Sequence, residues 1–166
     1  MSNGGAGETW VLLAYRMPRE PSTPRSAVWR RLKRLGVAQL VDGLVALPAD
    51  ARTQEQLEWV AEAVIEAGGE AGVWTGQPLE AATQQRLAAQ IRAAAAADYA
   101  VVTTEARQVG HADPADHRRV LARLRRELYR IGQRDYFPPP ERETARAAVA
   151  DLAALAAAPL TTQPSP

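Results

Sequence analysis

Apolar positions set two rhythms along this chain, one of strands and one of helices. Trp10-Val11-Leu12-Leu13-Ala14-Tyr15 is a short, almost wholly apolar run, which predicts a central strand covered on at least one face. Prolines between Pro18 and Pro24 force a loop. Thr23-Pro24 then offers a hydroxyl N-cap followed by proline at the first helical position. Val28, Leu32 and Leu35 recur at i, i+4, i+7 and predict a helix to about Leu35, with Gly36 where a left-handed C-cap is wanted. Two short strands, Ala38 to Val41 and Leu44 to Leu47, flank Asp42-Gly43, a strong two-residue hairpin signal. Thr53-Gln54-Glu55-Gln56 fits a capping box, and the helix it opens sets Leu57, Val60 or Ala61, Val64 and Ala67 on one face. Gly68-Gly69 stops that helix, and Glu70 to Thr75 is the fourth strand.

The order over residues 9–76 is thus β-α-β-β-α-β. It predicts an α+β protein with a ferredoxin-like domain: a four-stranded antiparallel sheet with two helices on one face. A three-stranded winged-helix module is the competing arrangement. Past Pro78 the pattern becomes helical and alanine-rich. Leu87, Ile91, Ala95, Tyr99 and Val102 mark a helix within 79–106. Asp113-Pro114 starts another, from about Ala115 to Arg134, with Val120 or Leu121, Leu124, Leu128 and Ile131 as its stripe. After Pro138-Pro139-Pro140 a last helix runs from about Glu141 to Ala157, with Ala145, Val149, Leu152 and Ala156 inward. Residues 77–158 therefore read as an α-helical C-terminal extension of about three helices, with disordered tails at 1–8 and 159–166.

Charge changes the picture more than its total suggests. The formal net charge is +1, yet the signs segregate. Residues 16–34 hold Arg16, Arg19, Arg25, Arg30, Arg31, Lys33 and Arg34 against one acid, Glu20. Residues 50–80 hold seven acids, including Glu55, Glu58, Glu62 and Glu66, against Arg52. Residues 105–134 are again arginine-rich. In one reading the acidic helix pairs with a basic one, or the charges are simply solvated faces. In the other, Arg25, Arg30, Arg31, Lys33 and Arg34 form one outward ridge that meets phosphates, since arginine forks suit phosphate oxygens. Arg118, Arg119, Arg123, Arg126 and Arg130 form a second ridge by the same logic. No base-reading motif accompanies either.

The chemistry available is narrow. With no cysteine, disulfides, thiol nucleophiles, thiolate zinc sites and iron–sulfur clusters are excluded. His111 and His117 match no standard metal spacing, so neither a metal nor a cofactor is expected. Metal-dependent phosphodiester cleavage needs carboxylates, whereas the exit of the first strand reads Tyr15-Arg16-Met17. Glu55, Glu58, Glu62 and Glu66 read as an exposed face, and no enzyme is expected. Trp10, Trp29, Trp59 and Trp74 are expected in the core or at a domain interface, with Trp29 flanking the basic ridge. The N-terminus lacks the order of a signal peptide and no apolar run reaches membrane length, so a cytoplasmic protein without a membrane partner is expected.

Several of these segments, in this order, resemble a known family. They are Trp10-Val-Leu-Leu-Ala-Tyr-Arg-Met-Pro-Arg-Glu-Pro-Ser-Thr-Pro-Arg, Val28-Trp-Arg-Arg-Leu-Lys-Arg-Leu-Gly, Leu47-Pro, Thr53-Gln-Glu-Gln-Leu-Glu-Trp and Arg130-Ile-Gly-Gln-Arg-Asp-Tyr-Phe-Pro-Pro-Pro-Glu-Arg. Over roughly residues 9–157 the chain resembles the N-terminal domain of the chromate resistance regulator ChrB. More distantly it is similar to the ferredoxin-like domain of PaaX-type repressors. The resemblance implies a part in transcriptional control of chromate resistance, with DNA as partner and chromate or another oxyanion as signal. Longer members carry a further C-terminal domain, and sensing that resides there is not carried over. The basic ridges are a reading of charge alone. The expectation is a regulator-type binding module, a homodimer, that contacts DNA or an oxyanion through its basic helix. The alternative is a protein-interaction or dimerisation module without nucleic acid.

Overall fold

A computed structural model of the chain describes residues 9–110 and 114–158, with the side chains of 114 and 115 excepted. The expected tails, His111 and Asp113 lie outside the described residues. Among those described, the order is β1 (Trp10–Arg16), α1 (Ser22–Leu35), β2 (Ala38–Val41), β3 (Leu44–Pro48), α2 (Ala51–Glu66), β4 (Glu70–Gly76), α3 (Ala81–Gly110), α4 (Pro114–Gly132) and α5 (Glu141–Ala157). The protein is α+β, with a four-stranded antiparallel sheet and five helices, as its apolar rhythms predict. The strands lie in the order β2-β3-β1-β4. β1 pairs with β3 from Trp10↔Pro48 to Ala14↔Leu44, and with β4 from Trp10↔Gly76 to Arg16↔Glu70. The fourth strand rules out the three-stranded alternative.

Packing divides the chain into two units. The first holds the residues up to Ala94 together with Arg134–Phe137, and the second holds Ala95–Gln133 and the chain from Pro138. The composition of the chain changes at residue 77, but packing changes later, inside α3. The reason lies on the second face of the sheet. Strand alternation sends Val11 and Leu13 to one side, where they bury with Val28 and Leu32 of α1 and Leu57, Val60, Ala61 and Val64 of α2. It sends Trp10 to the other side, with Ala38 and Ala46, and there Leu87 and Ile91 of α3 close over them. The unbroken apolar run of β1 is thus explained by cover on both faces.

Two helix starts differ from the sequence reading. α1 begins at Ser22, with Pro21 as N-cap and no side-chain cap, so Thr23 lies inside the first turn. In α2 the capping box opens one turn earlier. Asp50 is the N-cap: its Oδ1 accepts from the Thr53 backbone N–H at 2.7 Å, while Thr53 Oγ1 accepts from the Asp50 N–H at 3.0 Å. Thr53 is fully buried and its hydroxyl also donates to the Pro48 carbonyl at 2.7 Å. An aspartate with a hydroxyl three residues on does the same task as the predicted pair, on the amides one turn earlier. Gly36 caps α1 at φ 74° and Gly43 turns the hairpin at φ 76°, both left-handed.

The second unit is helical. Ala95, Tyr99, Val102 and Ala106 of α3 bury with Leu121, Leu124 and Ile131 of α4 and Ala145, Ala148, Val149 and Leu152 of α5. His117 stands one turn before Leu121, at the head of the α4 stripe. It is 5% exposed, and neither ring nitrogen finds a partner among the described residues. A buried polar group without a hydrogen bond weakens a fold. His117→Leu, which completes the apolar stripe, is expected to raise stability by about 1 kcal/mol. Denaturant unfolding of the two proteins checks this.

Candidate anion-binding face

α1 carries the charge the sequence singled out. Val28 and Leu32 bury toward the sheet, and at 3.6 residues per turn Arg30, Lys33 and Arg34 fall on the opposite side. Arg25, Arg30, Lys33 and Arg34 are exposed and Arg31 is half-buried. Among the described residues none of the five forms an ion pair. α2 packs in the same layer as α1. Its Glu55, Glu58, Glu62 and Glu66 are exposed, and none of them pairs with an α1 cation among the described residues. Lys33 and Arg34 lie in the last turn, where the helix dipole favours cations. The Lys33 ammonium also sits 5.7 Å from the Trp29 ring centroid. Arg134 Nη1 donates to the Lys33 carbonyl at 3.2 Å, fixing the end of the helix.

The five cations do not make one ridge. Helical phase turns Arg25 aside from Arg30 and Arg34, and it instead lines a cleft of about 670 Å³. β1 contributes Tyr15 and Arg16 to that cleft, followed by Met17. α1 contributes Arg25, Ser26 and Trp29, and the β2–β3 hairpin contributes Gln39, Asp42 and Gly43. Arg16 is paired with Glu70 at 2.8 Å, a contact open to solvent. Gln39 Nε2 donates to Asp42 Oδ1 at 3.3 Å. The Tyr15 backbone N–H donates to the Gly43 carbonyl at 2.7 Å, which ties the hairpin to the end of β1. Sequence reasoning did not assemble this cleft, because β1, α1 and the hairpin meet only through the sheet register. Two signals pointed at it: the arginine at the strand exit and Trp29 beside the cations.

Burial, with a smaller contribution from Asp42, pushes the Tyr15 hydroxyl above its ordinary range. Burial does the same at Tyr136, where Arg52 pulls the other way and Asp50 adds to the rise. Both folded values are raised, so the unfolded tyrosines lose their protons first as pH climbs. The stability from these groups is complete below the ordinary tyrosine value near 10 and is lost as pH rises through the folded values. Chemical denaturation followed from about pH 8 to pH 11 is expected to show stability falling above about pH 10.

The arginines of α4 belong to the second unit and are more engaged. Arg119 pairs with Asp116 at 2.8 Å, Arg123 with Glu105, and Arg130 with Glu127. The hydrogen bond that Arg123 donates to Glu105, then the Glu105 charge, raises the Arg123 value above its ordinary one. Arg118 and Arg126 are exposed and have no ion pair among the described residues. Of the tryptophans, Trp10 is core, but Trp29, Trp59 and Trp74 are 39%, 48% and 65% exposed, against the expectation that all four are covered. Their helix or strand phase turns them away from the apolar stripes. Among the described residues no group of three His, Asp or Glu side chains is placed to hold a metal, and no helix is long and apolar enough to cross a membrane.

The matching family model is described as Protein ChrB, N-terminal, and it covers residues 25–158. The chain belongs to this family. The ChrB N-terminal match runs through α1, the whole sheet after β1, and all the later helices, so it takes in both units. It begins at Arg25, the last residue of the opening Trp10 segment on which part of the resemblance rested. No curated protein matches the chain.

Proposed function

We propose that this protein is a regulator-type binding module linked to chromate resistance, which contacts the phosphates of DNA through the outward face of α1. The supporting observation is the set of exposed cations Arg30, Lys33 and Arg34, without an ion pair among the described residues, on a helix that carries no acid, within a chain of the ChrB N-terminal family. Such cations bind phosphate by displacing counterions, a sequence-independent contribution that salt weakens. The order β-α-β-β-α-β, with β1 and β3 as the central strands, supports assigning the first unit to the ferredoxin-like class. The reading is of a binder and not a catalyst, since the exit of β1 offers Arg16, and α1 brings Arg25 to the same cleft, where phosphodiester cleavage wants carboxylates.

A second reading, a small oxyanion bound in the cleft, is favoured by Arg25. Arg25 has no ion pair among the described residues and lines the same cleft as Arg16 and the hydroxyl-bearing Ser26 and Tyr15.

Electrophoretic mobility shift with the DNA upstream of its own gene, repeated at rising salt, tests the first reading. A shift that fades as salt rises is expected. No shift at low salt would remove the DNA reading and leave the interaction module. Retention of the shift with the outward cations removed would remove α1 as the contact.

A further inference from the structure

The two edges of the sheet are guarded unequally. β2 is four residues long and its register is irregular between Gln39 and Val41. Gln90 of α3 closes its edge: the Gln39 N–H donates to Gln90 Oε1 at 3.0 Å, and Gln90 Nε2 donates to the Gln39 carbonyl at 3.2 Å. Short length, a bulge and a covering side chain are all means of blunting an edge strand.

β4 has none of these. It runs seven residues and pairs with β1 without interruption. Among the described residues no second strand pairs with it, and no side chain is bonded to its outward peptide groups. From Ala71 to Gly76 it has no charge and no proline. Its largest side chain, Trp74, is 65% exposed. A long, uncharged, open edge is a template for another strand.

We propose that β4 pairs antiparallel with β4 of a second copy of this chain, about a two-fold axis at Val73, joining the two sheets edge to edge. The strand is self-complementary in this register. Trp74 of each copy stands opposite Gly72 of the other, Ala71 opposite Thr75, and Glu70 opposite Gly76. In each strand the Trp74 indole already lies against Gly72 of its own chain, so opposite each indole the partner offers the residue with no side chain to clash with it. No carboxylate faces another, and each Glu70 is already held by Arg16 of its own chain. An axis at Gly72 would instead set Trp74 against Glu70, and an axis at Trp74 would crowd two indoles.

The chain has no cysteine, so single thiols can map the axis. In light scattering over a concentration series, the mass is expected to rise from one chain to two. Trp74→Lys is expected to raise the midpoint concentration by about tenfold or more, with circular dichroism unchanged. Val73→Cys is expected to form a disulfide-linked dimer on mild oxidation. Thr75→Cys is expected to do so only when combined with Ala71→Cys. A single-chain mass at every concentration would overturn the proposal. So would a dimer that Trp74→Lys leaves unchanged and that Val73→Cys fails to cross-link.

Discussion

Gly43→Ala is expected to destabilise the protein by about 2–4 kcal/mol and to lower its melting temperature by roughly 5–15 °C. Gly43 sits at φ 76°, where a side chain costs about 1–2 kcal/mol. A Cβ at this site would also press against the Tyr15 carbonyl oxygen, closer than real Cβ atoms come to backbone. The strand end cannot retreat cheaply, because the Tyr15 N–H is bonded to the Gly43 carbonyl and β1 is held on both sides by β3 and β4. Relief must come from the hairpin. Asp42 and Gly43 line the cleft, so the same substitution should loosen that site. Differential scanning calorimetry of the two proteins gives the result directly. A melting temperature within about a degree of the parent would mean that the hairpin adapts without strain.

The combined change Arg30→Ala, Lys33→Ala and Arg34→Ala is the second large effect, and it falls on binding. Exposed substitutions away from packing features usually change stability by less than about 0.5 kcal/mol each, so the fold should survive. Each phosphate contact removed also removes one released counterion, and three together should weaken DNA binding by about 100-fold near 0.1 M salt. Fluorescence anisotropy with a labelled duplex measures this. Arg118→Ala with Arg126→Ala on α4 is the control, a two-charge change that removes exposed arginines of the second unit without an ion pair among the described residues.

The sequence and the structure agree where local chemistry decides. The apolar run of β1, the Asp42-Gly43 turn, Gly36 after α1 and the stripes of α2, α3, α4 and α5 each rest on a short apolar run, a period of 3.6 or one glycine conformation. They disagree where two residues compete for one task. Asp50 and Thr53 both accept from backbone amides, and only the path out of β3, which buries the Thr53 hydroxyl against Pro48, selects Asp50 as the cap.

The candidate site divides in the same way. The outward set Arg30, Lys33 and Arg34 is readable from helical phase and an absence of acids. That α2 leaves these cations unpaired is a fact of packing, and only the fold supplies it. Arg25 joined the ridge in sequence because it shares the helix, but phase and the sheet hand it to the cleft with Arg16. The α4 arginines stand among acids in sequence, with Asp116 and Glu127 three residues before Arg119 and Arg130. Arg123 is nonetheless engaged by Glu105, eighteen positions away on another helix, where no spacing rule reaches.

The central claim is that the outward cations of α1 touch phosphates. The direct measurement is the slope of log binding constant against log salt for the parent protein and for the Arg30, Lys33, Arg34 triple variant on one duplex. Each phosphate contact contributes about −0.9 to that slope, so the variant's line should be shallower by roughly 2.7. Two parallel lines would contradict the account.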